Sequence, residues 1–333
     1  MNFGYPTEAV VILAVAVVAS VWLDLFAHRN KTEVTFKNAA VWSVFWVALA
    51  LAFYAYIYVR FSADYASLFL SGYVLEKALS IDNMMVFVAI FASFGITGIL
   101  QHRVLYYGIA GALVFRAIFV ALGTALYDMA GWVELVFAAI VLWSAIPLLR
   151  GSSDDDEEVD YSQHWSVRYT RRFIPVIPHL SGQRFLIKRK EAEGIAAEKG
   201  FSLPRKAAVY ATPMLLCLMC IEVSDVIFSF DSVPAIIAVT QEPFLVYAAM
   251  IFAILGLRNL YFMLAAAAKY LVHLEKAVGL VLVFIAVKLG LSSLDIYHIH
   301  HQVSLVVVLG LISLGVLTSL IWPGKEEEAS NNA

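Results

Sequence analysis

The chain has 333 residues, 62% of them apolar and only 15% charged, with a mean hydropathy of +0.80. Soluble domains run at about 45–50% apolar and about 25% charged residues, so the composition points to a polytopic membrane protein. A net charge of −3 argues against a nucleic-acid partner, which would call for a basic surface, and two cysteines, Cys217 and Cys220, exclude a disulfide scaffold.

Apolar stretches of the roughly 20 residues needed to cross a bilayer core predict about nine transmembrane helices in an all-α chain. They run about 7–27, 38–60, 66–94, 103–126, 131–149, 207–240, 243–266, 275–295 and 302–322. The first is not expected to be a cleavable signal, because His28, Arg29, Lys31 and Lys37 follow it and no Lys or Arg precedes it. Basic loops (28–37, His102 with Arg103, 150–206, and Lys269 to Lys276) alternate with connections carrying Asp64, Asp128, Glu242 and Asp295. The positive-inside rule then places the N-terminus outside and the C-terminus in the cytoplasm, which requires an odd number of spans.

The expected organisation is helices one to five over 1–149, a cytoplasmic loop over 150–206, helices six to nine over 207–322, and a disordered tail over 323–333. The loop opens on an acidic run at 154–158 and turns basic through Arg168, Arg171, Arg172 and Arg184, with an amphipathic helix expected between 184 and 199. It reads as a solvated linker whose basic part lies against anionic headgroups. A regulatory or metal-sensing role for the acidic run is the sharper alternative.

Segments three and six resemble each other where they ought to be least polar. Glu76-Lys-Ala-Leu-Ser80-Ile-Asp82-Asn83 aligns without a gap on Asp225-Val-Ile-Phe-Ser229-Phe-Asp231-Ser232. In each case the following segment carries an Arg after a glycine, Arg116 beyond Gly111 and Arg258 beyond Gly256. Segments three to five and six to eight therefore read as an inverted repeat of two three-helix units, a common transporter architecture with polar sites near the midplane.

Ionisable residues at bilayer depth are functional candidates, because each costs at least about 2.5–3.5 kcal/mol on insertion scales. Here they are Glu76, Asp82, Glu222, Asp225 and Asp231, with Asp24 as an accessory near the end of its span. The bland alternative is that they pair with Lys77, Arg116, Arg258 and Lys288 merely to hold helices together. Glu222 and Asp225 share a helix face. Glu76 and Asp82, like Asp225 and Asp231, are six apart and so about 120° out of register on an unbroken helix. Unwinding is therefore expected near Ser80–Asn83 and Ser229–Ser232, where Pro234 removes a backbone donor. Carboxylates with Asn83, Ser232 and the neighbouring hydroxyls form a hard oxygen set suited to Mn²⁺, Mg²⁺ or Ca²⁺. Met84, Met85 and Met214 read as packing.

The two acidic stretches, Glu76 to Asn83 and Glu222-Val-Ser-Asp225-Val-Ile-Phe-Ser-Phe-Asp231-Ser-Val-Pro234, resemble the signatures of the TerC family. Size, span number and the central loop are similar to its Alx-like branch. The resemblance implies a Mn²⁺ exporter of the bacterial cytoplasmic membrane with links to alkaline pH. It also implies that Glu76, Asp82, Glu222, Asp225 and Asp231 hold the metal, while the family's name does not establish a tellurite substrate. TerC relatives are also implicated in supplying metal to exported enzymes beside the secretion machinery, so a scaffold or metal-delivery factor is an alternative, as is a Ca²⁺ exchanger of similar architecture.

On the leading reading the ion is cargo, no organic cofactor is expected, and Arg116 and Arg258 pair with the acids in the empty state. No hydrolase motif such as HExxH is present, so an enzyme is not expected. Cys217-Leu-Met-Cys220 reads as packing rather than a redox dithiol. His298, His300 and His301 read as interfacial polar residues or as an external pH-sensing patch.

Overall fold

The computed structural model describes residues 6–27, 36–129, 132–150, 160–267 and 273–322, apart from the side chains at 21, 23–27, 82, 128, 266, 267 and 320. The acidic run at 154–158, the tail beyond 322, Lys269 and the side chains of Asp24, Asp82 and Asp128 thus lie outside the described residues. The chain folds into twelve described α-helices with one small two-stranded sheet. The first five helices are α1 (Thr7–Ala27), α2 (Phe36–Arg60), α3 (Ala63–Ser93), α4 (Ile99–Met129) and α5 (Trp132–Arg150). After the central region come α8 (Pro213–Thr240), α9 (Pro243–Leu255), α10 (Leu257–Ala267), α11 (Leu274–Ser293) and α12 (His301–Ile321).

Local chemistry sets the helix starts. The Ser62 hydroxyl accepts the Tyr65 N–H at 3.2 Å to cap α3. Pro213 and Pro243 stand in the first turns of α8 and α9, where a missing N–H costs nothing. Among the described residues, α2, α4, α5, α8 and α12 are each long and apolar enough to cross a membrane, and the bent pair α9 and α10 makes a sixth such unit. The chain is thus an all-helical, multi-pass integral membrane protein.

Large side chains such as Val44, Val59, Val114, Trp143 and Val306 are exposed on these helices, as expected where lipid replaces water. The buried interior divides into contiguous parts. Helices α3, α5, α8 and α11 share one, built from residues such as Leu75, Val141, Ile236 and Ile285. A second joins α2, α3 and α9 through Trp46, Phe53, Phe69 and Phe252. Packing is reciprocal between the two halves: α3 lies on α9, α4 on α8, and α5 on α11.

Two expectations are corrected here. Helices α3 and α8 run unbroken through Ser80–Asn83 and Ser229–Ser232. The hydroxyl of Ser229 bonds back to the Asp225 carbonyl at 2.8 Å and Pro234 is absorbed within α8, so one missing rung does not unwind a helix packed on its neighbours. The discontinuity falls instead inside the seventh expected span, where α9 and α10 meet at Gly256 with a bend of 47°.

The central region is also more than a linker. A 3₁₀ turn at Tyr161–Gln163 leads into α6 (Trp165–Phe173). Strands β1 (Leu186–Lys188) and β2 (Val209–Ala211) then pair antiparallel around α7 (Arg189–Lys199), the helix expected between 184 and 199. Ile177, Ile187, Ala192 and Tyr210 form its own small core. The turn rests on α3 and α6 on α8.

Candidate functional site: a buried carboxylate cluster

Helices α3, α4 and α8 meet around Arg116. Its guanidinium forks: Nη2 and Nε donate to the two Asp225 oxygens at 2.8 and 3.2 Å, and Nη1 donates to Glu76 Oε1. Arg116 is 2% exposed and Glu76 fully buried, so the contacts are made in a low dielectric where charge-assisted hydrogen bonds are strong. The Ser80 hydroxyl, one turn along α3, donates to Glu76 Oε1 at 3.3 Å. Glu222 lies a turn before Asp225 on the same face of α8.

Close approach of α4 and α8 depends on glycine. A Cβ at Gly111 would overlap the Glu222 carboxylate, one at Gly108 would stand 3.3 Å from Ile221, and one at Gly123 would stand 2.8 Å from Ile237. Small residues at helix crossings allow this proximity in membranes. Here the missing side chain at Gly111 makes the space that Glu222 fills.

The cluster holds more acid than base. Glu76 and Asp225 share one arginine with Glu222 close to Asp225, and Glu76 Oε2, Glu222 Oε2 and the Ser232 hydroxyl are buried with no hydrogen-bond partner among the described residues. Asp231 is on another face of α8, turned toward Ser144 of α5 and within electrostatic reach of Arg116. That placement follows from the six-residue separation on a continuous helix. Asn83 is buried on α3. Among the described residues, no three His, Cys, Asp or Glu side chains gather closely enough to enclose a metal ion.

The other cations have separate positions. Lys77 donates to the Ala253 carbonyl at 3.0 Å, taking up one of the acceptors released where α9 ends. Only the bland alternative sets Lys77 against the acids; the C-terminal carbonyls of a broken helix are a competing partner that spacing does not reveal. Arg258 is buried on α10 beside Asn259. Lys288 is buried on α11 with its ammonium lacking a hydrogen-bond partner among the described residues, and it lies beside His301 rather than an acid of the cluster.

His298 and His300 precede α12, and His301 is its first residue. His298 faces Asp295 at 3.3 Å, and His300 Nδ1 accepts the Gln302 N–H at 3.4 Å as an N-cap. Cys217 and Cys220 are buried in α8, and Cys220 Sγ lies 3.2 Å from the Ser166 hydroxyl of α6. The widest cavity described, ≈ 550 Å³, lies elsewhere, lined by Ser93, Ser162, Arg171, Arg205 and neighbouring residues under the central region.

Residues 61–327, which carry all of these acids, match the model of the integral membrane protein TerC family. The chain belongs to the TerC family. It is 51% identical to the tellurium resistance protein TerC of Serratia marcescens, over 98% of this chain and 97% of that one. It is 38% identical to an uncharacterized membrane protein of Myxococcus xanthus, over 92% of this chain and 89% of that one. It is 35% identical to the putative membrane-bound redox modulator Alx of Escherichia coli K12, over 93% of this chain and 91% of that one. No solved structure matches the chain. This TerC-family membrane protein thus has relatives named for tellurium resistance and for redox modulation, and its arginine-centred cluster joins both acidic stretches of the sequence.

Proposed function

We propose that the chain is a secondary transporter exporting Mn²⁺ across the bacterial cytoplasmic membrane, with Glu76, Asp82, Asn83, Glu222, Asp225, Asp231 and Ser232 as its ion-handling set. The observation that carries the reading is the excess of buried carboxylate around Arg116, with acid oxygens left unpartnered. In the ion-free state Arg116 neutralises part of that charge. An entering divalent cation takes over the role and releases Glu76 from Asp225, loosening α3 from α8. Because carboxylates must be deprotonated to take metal, loading improves as pH rises.

Nine spans, with the N-terminus outside and the C-terminus in the cytoplasm, complete the proposal. In it, α3–α5 and α8–α11 form two inverted units, with α9 and α10 as one broken span. The reciprocal packing of α3 on α9 and α4 on α8 supports an exchange symmetry of that kind, and transporters of such architecture carry their ion sites between the two units.

The test is Mn²⁺ flux in proteoliposomes under a controlled pH gradient, with Ca²⁺, Mg²⁺ and Zn²⁺ as competitors. Wild-type protein is expected to move Mn²⁺ faster at alkaline than at acidic pH, and Asp225→Asn and Glu76→Gln to lose on the order of tenfold or more. Flux unchanged by both substitutions overturns the reading. The folded, docked central region favours one second reading, a membrane scaffold or metal-delivery factor for exported proteins. Under it, removing 160–212 abolishes activity while the carboxylate variants keep it.

A further inference from the structure

We propose that α6 is an interfacial helix that binds anionic phospholipid headgroups, seating an aromatic face in the boundary of the bilayer. The inference rests on the chain's being a membrane protein and not on the cargo assigned to it.

Three sectors of α6 follow from its sequence at 100° per residue. Trp165, Tyr169 and Phe173 recur every four residues within an arc of about 80°, and all three are exposed, at 57%, 60% and 62%. Ser166 and Val167 are buried, with the Ser166 hydroxyl against Cys220 of α8. Arg168, Arg171 and Arg172 occupy the remaining arc, bordering the aromatic face on the side away from α8. A helix with one face docked on a membrane span, one aromatic and one basic is suited to neither water nor hydrocarbon alone. Rings at the headgroup level with arginines beside them match the zone where acyl chains meet phosphates.

Position agrees with composition. Cys220 is seven residues into α8, so the Ser166 contact sets the start of α6 about 10 Å inward from the end of that span. The preceding turn is fastened to the end of α3, where the Tyr161 N–H donates to the Ser93 hydroxyl at 3.2 Å. The far end is tied by Arg205, which donates to the Phe173 carbonyl at 2.6 Å. The start of α6 is thus held at the edge of the helical bundle, and its far end is tied to the rest of the central region. Beside the basic sector opens the cavity of ≈ 550 Å³ lined by Arg171, Arg205, Ser93 and Ser162, within the size range of small-ligand sites. Its guanidinium and hydroxyl donors suit a phosphate group. An attached lipid would pin the central region to the span ends through α6, making its docking dependent on membrane composition.

Full-length protein in nanodiscs of phosphatidylcholine, alone or equimolar with phosphatidylglycerol, tests this. Two readouts are used: lipid retained in native mass spectrometry, and tryptophan quenching by brominated lipids. Wild-type protein is expected to retain phosphatidylglycerol preferentially, with the combined Arg168→Gln, Arg171→Gln and Arg172→Gln variant losing on the order of fivefold of that preference per arginine. Trp165→Phe, which does not threaten the fold, is expected to remove part of the brominated-lipid quenching. Equal retention by wild type and the triple variant, or quenching untouched by Trp165→Phe, overturns the proposal. Inorganic phosphate that abolishes the preferential retention of phosphatidylglycerol in the mixed nanodiscs would assign the site to free phosphate and overturn the proposal as well.

Discussion

Arg116 is the residue on which the interior charge balance turns. Its planar fork takes Asp225 through two donors and Glu76 through a third in one fixed geometry, which a lysine's compact ammonium does not reproduce. Removing one partner of a buried ionic group leaves the others uncompensated, at a cost of about 3–5 kcal/mol. Arg116→Gln is therefore expected to melt well below wild type in detergent, Arg116→Lys to fall between, and Arg116→Gln combined with Asp225→Asn to recover part of the loss. Thermal unfolding of the four proteins checks the order. Gly111 acts by subtraction. Gly111→Ala is expected to leave the melting temperature close to wild type, because the free end of Glu222 can swing aside, while lowering Mn²⁺ flux in the proteoliposome assay. Normal flux with Glu222 displaced would show that its position is not used. At this scale the acids themselves were legible in the sequence because charge at bilayer depth is conspicuous. Which acid meets which arginine was not, since Glu76 and Asp225 reach Arg116 across separations of 40 and 109 residues.

Among the elements, the break between α9 and α10 shows how a helix end is held inside the molecule. Gly256 leaves room for Lys77 and Trp46, where a Cβ would stand 2.9 Å from the ammonium and 3.1 Å from the Trp46 Cβ. Lys77 then satisfies the Ala253 carbonyl. Lys77→Met is expected to cost about 1–3 kcal/mol by leaving that acceptor buried and unpaired, measured as a lowered melting temperature. The sequence marks Gly256 as a glycine before an arginine, whereas the six-residue spacing of the acids points to unwinding beside them. Continuous helices resolve that spacing differently, by turning Asp231 toward α5. The docking of α6 carries a pH dependence. His164 Nδ1 faces the Ser166 hydroxyl at 2.9 Å, and burial lowers its pKa below the usual histidine value. A depressed histidine pKa means that the folded state binds fewer protons than the unfolded one. The contribution is therefore present above about pH 6.5 and lost as pH falls through the lowered value. Hydrogen-exchange protection of 164–173, corrected for intrinsic rates, is expected to decline over that window and to be less pH-sensitive in His164→Gln.

For the whole molecule, the proposed topology makes a sided prediction. In a background lacking Cys217 and Cys220, a cysteine at position 295 should react with an impermeant thiol reagent applied to intact cells, and one at position 190 only after the membrane is opened. The reverse pattern would invert the assignment and with it the direction of transport. Helix positions along the chain were legible because the length and apolarity of a span are properties of a continuous stretch, readable without a partner. The small folded unit around α7 was less so: its strands have three residues each and pair across the intervening helix, a non-local contact that a charged, low-hydropathy segment does not advertise.

The sequence by itself determined that this chain lives in a bilayer, where its helices fall, and which polar residues interrupt its apolar stretches. Those are matters of hydropathy and length, local to each segment. Only the tertiary structure decided that Arg116 gathers Glu76 and Asp225, that Glu222 fills the space left at Gly111, and that the chain breaks at Gly256. These depend on how closely two helices approach, which is set by the small side chains between them and by the partners that buried charges find across the interface.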